Sequence, residues 1–388
     1  MKQINKLMLV ILWGCIGLNA FSQDSTQTSR NQNRAVMQSG NTHFLLTGYG
    51  FAGFEKVGKE NSSFGPAGFA PIFLWKKSDK LFFEAEAEFE IEDGNLNIGL
   101  EYATLHYKLS KNLTLGAGKF LSPFGIFGER LHPSWINKFA EKPLGFSHDA
   151  GVLVGPMTEF GIQLRGGAQI GNSKINYVGY LTNGPKLNDG SSNPMMAGMI
   201  NYDNLGDNNN NKAIGGRIGF LPLINSSFEI GVSGQFAKLG DHESANENIA
   251  ANMMAYDLSF IQKIDVLKSN LDIKAQYNTV KVDDFVYKNL LGQDYTFNNK
   301  TTAWFAQAAL RPSFVDDNFF KNLEFTTRLS EIKAPEKAMW SVHNFQTAFG
   351  INYWLDWNSV LKINFQITND KITNEKENGF FIQWGLGL

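Results

Sequence analysis

The sequence is poor in three features that define common protein classes. Cysteine occurs once in 388 residues, at position 15. No apolar run in the body of the chain reaches the roughly 18 residues that a membrane-spanning helix needs. The formal net charge is only −2 and no basic patch stands out, which argues against a nucleic-acid partner. If the protein resides in a membrane, it must therefore do so as a closed β-barrel.

The N-terminal residues have the pattern of an export signal. Lys2 and Lys6 precede the apolar run 7–18, and small residues follow it, which predicts a signal peptide over residues 1–22 that is cleaved before Gln23. A membrane-anchoring helix is the alternative, but the run is short for one. Cys15 leaves with this segment, so the mature chain has no disulfide, zinc–thiolate site or cysteine nucleophile. Residues 23–42 are polar and of low complexity, which predicts a disordered periplasmic leader.

The stretch 81–92 has the clearest pattern in the chain. Its apolar residues alternate with Glu84, Glu86, Glu88, Glu90 and Glu92. Successive side chains of a strand point to opposite faces, so the stretch predicts a strand with one apolar face and one row of carboxylates. A solvated sheet could carry such a row, but a membrane barrel offers lipid on one side and a wet lumen on the other.

Alternating segments of this kind recur from residue 43 to the end, with 38 glycines and 13% aromatic residues along the chain. Short turns and long loops alternate between the segments, as they do in outer-membrane barrels. We therefore predict an all-β fold, a sixteen-stranded antiparallel transmembrane β-barrel over residues 43–388. The predicted strands are 43–57, 66–77, 81–92, 95–109, 112–120, 159–170, 174–184, 212–222, 226–239, 252–265, 269–284, 300–312, 320–333, 341–355, 358–369 and 379–388.

The end of the chain and its aromatic residues support a barrel. The last segment carries an apolar stripe to the final residue, similar to the assembly signal of outer-membrane barrels, although Leu388 stands where Phe is usual. Aromatic residues near the strand ends predict girdles at the two membrane interfaces. They are Trp75, Tyr107, Tyr287, Trp304, Trp340, Trp354, Trp357 and Trp384.

The loop 121–158 is too apolar to extend into water, and we expect it to fold inward as the third extracellular loop. Gly-Lys-Phe-Leu-Ser-Pro-Phe-Gly at 118–125 resembles the strand-to-loop motif of the phosphate-selective porin family of the O and P type. Leu-His-Pro-Ser-Trp-Ile-Asn-Lys at 131–138 looks like Bacteroidota members of that family. The resemblance implies a trimeric sixteen-stranded porin with this loop as its constriction. It also implies lines of Arg and Lys along the channel, whereas residues 84–92 carry carboxylates.

Charged residues of the predicted inner face suggest how the lumen would select solutes. An acidic wall at residues 84–92 would face a basic wall, with the loop between them, and the field would favour polar solutes. The alternative is that the carboxylates only solvate the wall or pair with loop lysines. The predicted pore-lining residues are Glu84, Glu86, Glu88, Glu90, Glu92, Arg165, Arg217, Lys274, Arg311, Arg328 and Lys362. The predicted constriction residues are Lys119, Glu129, Arg130, His132, Lys138 and Lys142.

Other sites are weaker hypotheses. The loop contains residues that could bind a metal ion, but their spacing fits no known ligand motif. Ser134 and Ser147 lie near histidines without a Gly-x-Ser-x-Gly motif, and residues 215–219 lack the Lys-Ser/Thr of a phosphate-binding loop. The residues that share this loop are Glu129, Arg130, His132, Glu141, His148 and Asp149, of which the histidines and carboxylates are the possible ligands.

The sequence thus favours an outer-membrane porin for small hydrophilic solutes or ions, with neither enzymatic activity nor a cofactor or metal. The expected partners are outer-membrane lipid, the solutes and a second and third copy of the chain. The alternative is a plugged barrel that serves as a subunit of a larger outer-membrane complex, with the loop 185–211 as its docking surface. A third hypothesis is an enzyme built on the barrel, but the residues do not indicate a particular reaction.

Overall fold

Our computed structural model describes residues 36–39, 42–92, 94–147, 151–203 and 205–388. Sixteen long strands of the chain form one closed antiparallel barrel. The predicted signal peptide and most of the predicted leader lie outside the described residues. The prediction of an all-β, sixteen-stranded barrel is confirmed.

The barrel strands are numbered β1 to β16 in chain order. They are Thr42–Val57 (β1), Ser63–Lys76 (β2), Leu81–Glu92 (β3), Asn95–Ser110 (β4), Leu113–Leu121 (β5), Thr158–Ile170 (β6), Ser173–Thr182 (β7), Ala213–Leu221 (β8), Phe228–Lys238 (β9), Ala250–Ile264 (β10), Ser269–Val282 (β11), Lys300–Arg311 (β12), Leu323–Lys333 (β13), His343–Asp356 (β14), Ser359–Asp370 (β15) and Lys376–Gly387 (β16).

The barrel closes where the first strand meets the last. Tyr49 of β1 pairs with Gly387 of β16, and the ladder continues to Val57 opposite Gly379. Below the end of β16, the short strand Val36–Ser39 pairs with the start of β1 and extends the ladder. The first residues of β1 precede those that pair with β16, and Val36–Ser39 pairs with them there. These four residues, which were predicted to belong to the leader, are therefore part of the sheet.

Side chains sort by alternation around the ring, as predicted. On β6, Phe160 and Ile162 are about half exposed, at 47% and 51%, whereas Glu159 and Gln163 are buried. The terminal stripe behaves in the same way: Trp384 is exposed and Gln383 is buried. The outer face of the barrel is thus apolar and the inner face polar, which is the division that a barrel in lipid requires.

Strand β4 owes its mixed sequence pattern to a β-bulge. Glu86 of β3 pairs with Tyr102 and the next residue, Ala87, pairs with Leu100, so Glu101 is an extra residue. A bulge shifts the alternation by one position. The exposed apolar positions accordingly change from even numbers, such as Leu100, to odd numbers, such as Leu105.

In the part of the chain that the structure describes, helical structure occurs only as short pieces. The loop after β5 contains the single-turn helix Phe127–Arg130 (α1), and 3-10 turns occur at Pro194–Met196, Asp265–Leu267 and Phe320–Asn322. The last of these turns replaces the predicted start of β13, because Asp317 accepts hydrogen bonds from the backbone N–H groups of Phe319 and Phe320. Among the described residues, no helix is both long and apolar enough to cross a membrane.

Six of the eight predicted girdle residues fall into two clear groups. Trp75, Tyr107, Trp357 and Trp384 are exposed near the short-turn end of the barrel, as an interfacial girdle requires. Trp354 and Tyr287 are buried, at 7% and 1% exposure, so the girdle prediction is wrong for them. Trp354 lies on the inner face of β14, and its indole N–H donates to Glu324 at 2.7 Å.

The connections at the two ends of the barrel differ strongly in length. One end has the short turns 77–80, 111–112, 171–172 and 357–358, together with somewhat longer links such as 312–322. The other end has the long loops 122–157, 183–212 and 283–299, but only the links 58–62 and 93–94 between β1 and β4. Long loops at this end are therefore absent above the first four strands.

Candidate functional site

The candidate site is the inside of the barrel, where the loop between β5 and β6 (residues 122–157, the long loop) packs against the wall. Its described residues are mostly buried or half-buried, and Phe124, Phe127, Phe139 and Phe146 are each at most 3% exposed. Exposure of so many large apolar side chains to water would be unfavourable. The loop removes them from water by packing against the barrel wall.

Polar side chains of β11 hold the start and the end of the long loop. Gln276 accepts hydrogen bonds from the N–H groups of Ile126 and Phe127, at 2.8 and 2.9 Å. Its amide also donates to the Phe124 carbonyl at 3.2 Å. Asn278 donates to the Val154 carbonyl at 2.6 Å. Both ends of the loop are thus attached to a single strand through their backbone groups.

A buried charge network joins α1 to the wall opposite the first strands. Arg217 on β8 pairs with Asp257 at 2.6 Å and with Glu229 at 3.0 Å. Glu229 also accepts from Arg130 at 2.7 Å. The neighbouring residue, Glu129, pairs with Arg165 of β6. Each charge in this network has a partner of opposite sign, as buried charges require.

The middle of the long loop is bound by the basic side chains of β13 and β15. Arg328 donates to the Glu141 carbonyl at 2.9 Å, and its guanidinium lies 4.5 Å from the centre of the Phe139 ring. Lys362 donates to the carbonyls of Ser134 and Phe139. Both side chains are 1% exposed. Their charges are used to hold loop carbonyls.

Lys138 ties the same part of the loop to β13. Its ammonium lies 2.5 Å from Glu324, which is also the acceptor for Trp354. Burial alone would favour the neutral amine, but the charges of Glu324 and Asp272 and the hydrogen bond to Glu324 together outweigh it and raise the pKa of Lys138. Lys138 therefore pairs with the wall of β13 and not with the carboxylates of β3, which was the alternative considered for it.

Trp135 connects the long loop to β1 and β16, the strands at which the barrel closes. It belongs to a buried cluster with Tyr49, Ala70, Trp354 and Val360. A Cβ atom placed on Gly387 would lie 2.9 Å from the Trp135 ring. Glycine at 387 leaves space for the indole, so the loop packs directly on the backbone of β16.

The carboxylates of β3 line the other side of the lumen. Tyr49 donates to Glu86 at 2.9 Å, and Glu84 lies 2.8 Å from the Nε2 atom of His106. The β4 bulge turns a further carboxylate, Glu101, toward the same region, where its charge acts on Glu88. Sequence reasoning missed Glu101, although the phase change in the apolar positions of β4 signals the bulge.

Two loop cations approach this acidic wall. His132 lies with its Nε2 atom 3.9 Å from Glu86. Burial favours its neutral ring, but Glu86, Glu101 and Glu88 outweigh burial and raise the pKa of His132. Lys142 is close enough to Glu88 for a charge interaction. The long loop therefore approaches both walls of the lumen.

Most predicted site residues lie on the inner face, but one does not. Lys119 belongs to β5, where it pairs with the exposed Phe160 and shares the face of the exposed Leu115. Its ammonium donates to the Leu100 carbonyl at 2.5 Å, beside the β4 bulge. Alternation therefore places Lys119 on the outer face, and its assignment to the constriction is wrong.

The two remaining basic residues of the predicted lining lie toward the short-turn half of the wall. Lys274 pairs with Asp272 on the same strand. Arg311 donates to the Lys321 carbonyl at 3.0 Å and lies 5.2 Å from the centre of the Trp354 ring. Both are thus engaged by neighbouring groups of the wall.

The outer loops pack on the long loop from above, over β10 to β13. Trp340 donates to the Ala197 carbonyl at 2.9 Å, and Asn299 donates to the Gly198 carbonyl at 2.7 Å. One apolar cluster, which we call the roof cluster, joins them to the long loop and the wall. Its members include Phe124, Phe146, Val152, Leu187, Tyr202, Met253, Val280, Tyr287, Phe297 and Phe305.

The weaker sites gain no support from the geometry. Within the described part of the chain, no group of three or more His, Cys, Asp or Glu side chains is arranged to hold a metal ion; His148 and Asp149 lie outside it. The Ser134 carbonyl is an acceptor for Lys362, which makes Ser134 part of the loop attachment. Residues 215–219 form barrel wall in β8, as predicted.

Comparisons with known proteins give no family by sequence and a clear fold by structure. No protein-family model matches the chain, and no curated protein matches it. The outer membrane channel DcaP of Acinetobacter baumannii aligns with a TM-score of 0.57 and 12% identity, over 91% of this chain and 100% of that one. An anion-selective porin from Comamonas acidovorans gives 0.55 and 13%, over 89% and 100%.

A third structure is the trimer form of OmpT, an outer membrane protein of Vibrio cholerae. Its TM-score is 0.51 at 9% identity, over 90% of this chain and 100% of that one. Identities this low establish a common fold and nothing finer. What this chain shares with these outer-membrane proteins is the closed antiparallel barrel.

Proposed function

We propose that the protein is an outer-membrane porin through which small hydrophilic solutes or ions diffuse passively. One observation carries the proposal: a closed sixteen-stranded barrel with an apolar outer face encloses charged and amide side chains. The core of a soluble protein is mainly apolar, whereas charged and amide side chains are suited to line a water-filled lumen. The long loop is the constriction in this proposal.

Finer features of the proposal rest on the resemblance and on the neighbours. The motif at 118–125 supports a relationship to the phosphate-selective porins, and the residues at 131–138 suggest a Bacteroidota origin. The trimer form of the Vibrio cholerae protein supports a homotrimer. Export through a cleaved signal peptide, residues 1–22, completes the proposed location in the outer membrane.

A specific observation favours the runner-up, a plugged barrel within a larger complex. Inner-face side chains of β13 to β15 are almost fully covered: Ser330, Asn352 and Lys362 are at most 1% exposed. A wide water-filled pore would leave such residues in contact with solvent. In the runner-up, the long loop blocks the lumen and the outer loops form the docking surface.

A reversible lock on the long loop separates the two functions. A Cβ atom built on Gly385 would lie 3.4 Å from the Cβ atom of Trp135, close to the roughly 3.5–4.5 Å that a disulfide spans. The double variant Trp135→Cys/Gly385→Cys should therefore crosslink the loop to β16. The single variant Trp135→Cys is the matched control, because it loses the indole without gaining the bond.

The readout is conductance of purified protein in planar bilayers, with and without reductant. A porin gives stepwise conductance in the wild type, and the double variant conducts equally when oxidised and reduced. Conductance only after reduction means that the loop must leave the lumen, which supports the plugged barrel. Absence of steps from the wild type and from both variants overturns the porin proposal.

A further inference from the structure

The basic residues inside the barrel are already occupied. Arg217, Arg328 and Lys362 are each at most 3% exposed. The first is neutralised by Asp257 and Glu229, and the other two bind carbonyl groups of the long loop. A solute that entered the lumen would meet the loop before it reached these charges. Carbonyl groups do not neutralise Arg328 and Lys362, but the long loop lies between these two side chains and a path on its other side.

The half of the barrel that carries these residues is also covered from outside. The roof cluster joins the loops 183–212 and 283–299 to the long loop above β10 to β13. Above β1 to β4, the links are only 58–62 and 93–94. At the outer end of β4, Asn95 and Asn97 are exposed and lie on the inner face, opposite in phase to Leu96. The uncovered side of the mouth thus lies above the first four strands.

The wall below that opening is acidic and only partly covered. Glu88, Glu90, Glu92 and Glu101 are half-buried, in contrast to the fully buried basic residues opposite. The loop brings His132 and Lys142 toward this wall. The carboxylates of β3 and of the β4 bulge outnumber these two basic side chains.

We propose that the ion path runs along β1 to β4, between the long loop and the acidic wall, and that it prefers small hydrated cations to anions. The inference rests on the proposed porin function and names its substrate class. It replaces the predicted transverse field, because only one of the two charged walls faces the path. Confined carboxylates concentrate cations by long-range attraction without a fixed coordination site.

The test is the reversal potential of single channels in a gradient of potassium chloride across a planar bilayer. The wild type should favour K⁺ over Cl⁻ by about ten-fold or more, the lower end of the enrichment expected from a charged cleft. The triple variant Glu88→Gln/Glu90→Gln/Glu101→Gln should bring this ratio close to unity. The preference should also weaken steeply as the salt concentration rises.

A matched control removes three carboxylates from the outer loops of the covered side. Glu243, Asp294 and Glu336 have side chains that are 85%, 62% and 81% exposed. The variant Glu243→Gln/Asp294→Asn/Glu336→Gln changes the net charge by the same amount and should keep the wild-type ratio. If the triple variant of the wall does not fold, Glu90→Gln alone should lower the ratio in the same direction.

The outcomes distinguish a failure of this inference from a failure of the proposed porin function. Stepwise channels that prefer Cl⁻, or that show no preference, overturn the inference and leave the porin standing. Equal ratios in the wild type and the wall variant do the same. Absence of conductance from the wild type overturns the porin proposal itself.

Discussion

The two halves of the lumen use charge in opposite ways. On β8 to β15, residues such as Arg328 and Lys362 are buried and bind the long loop. On β3 and β4, residues such as Glu90 and Glu101 are half-buried and line the acidic side of the lumen. In sequence both sets are charged residues at alternating strand positions. The difference teaches that position on the inner face does not make a side chain part of a path, because the loop decides which charges stay accessible.

The largest expected effect comes from breaking the buried network. Arg217→Gln would leave Asp257 and Glu229 with less compensation in a buried site, and uncompensated buried charge destabilises by about 3–5 kcal/mol. We expect a loss of this size in the free energy of unfolding, measured by urea titration in lipid vesicles. The control is Lys288→Gln, which removes a pair with Asp294 whose members are 65% and 62% exposed and should cost less than about 1 kcal/mol. Equal losses in the two variants would show that burial does not set the contribution of the network to stability.

A smaller effect is expected from the attachment of the loop to β11. Gln276→Ala removes the acceptor of the Ile126 and Phe127 N–H groups. Each buried polar group that loses its partner costs about 1–3 kcal/mol. Because these bonds fix the start of the loop, we expect faster proteolysis within residues 122–157 and a broader distribution of conductance levels. The exposed Gln262→Ala is the control; unchanged proteolysis of the Gln276 variant would show that the loop is held elsewhere.

The smallest effect is expected on the acidic side, at His132. Its pKa is raised in the folded protein by the carboxylates around it. The stabilisation from its charge is therefore complete below the ordinary histidine pKa and is lost as the pH rises through the folded value. His132→Gln should remove this dependence, and we expect a smaller cost at low pH than in the two variants above, because the Nε2 atom lies 3.9 Å from Glu86, beyond hydrogen-bond distance. Stability measured across pH 5 to 9 checks it, and an identical pH profile in the variant would exclude His132 as the titrating group.

Much of the fold follows from side-chain alternation. The strand predicted over 81–92 has those limits in the structure, and the other fifteen lie within a few residues of their predicted positions. Lys119 was misplaced because it lies next to a loop motif while still belonging to β5. Glu101 was missed because one extra residue reverses the phase of β4. Alternation along a strand predicts the face on which a side chain lies only where no bulge interrupts the strand.

Alternation along the strands is enough to specify the barrel, since a period of two commits one face of each strand to lipid and the other to the interior. Which interior charges are held and which remain accessible is decided only when the long loop has packed inside. That decision depends on contacts between residues far apart in the chain, such as Lys362 with Ser134 and Gln276 with Phe127. No local pattern records them, because hydrogen bonds to a folded loop exist only after the ring has closed around it.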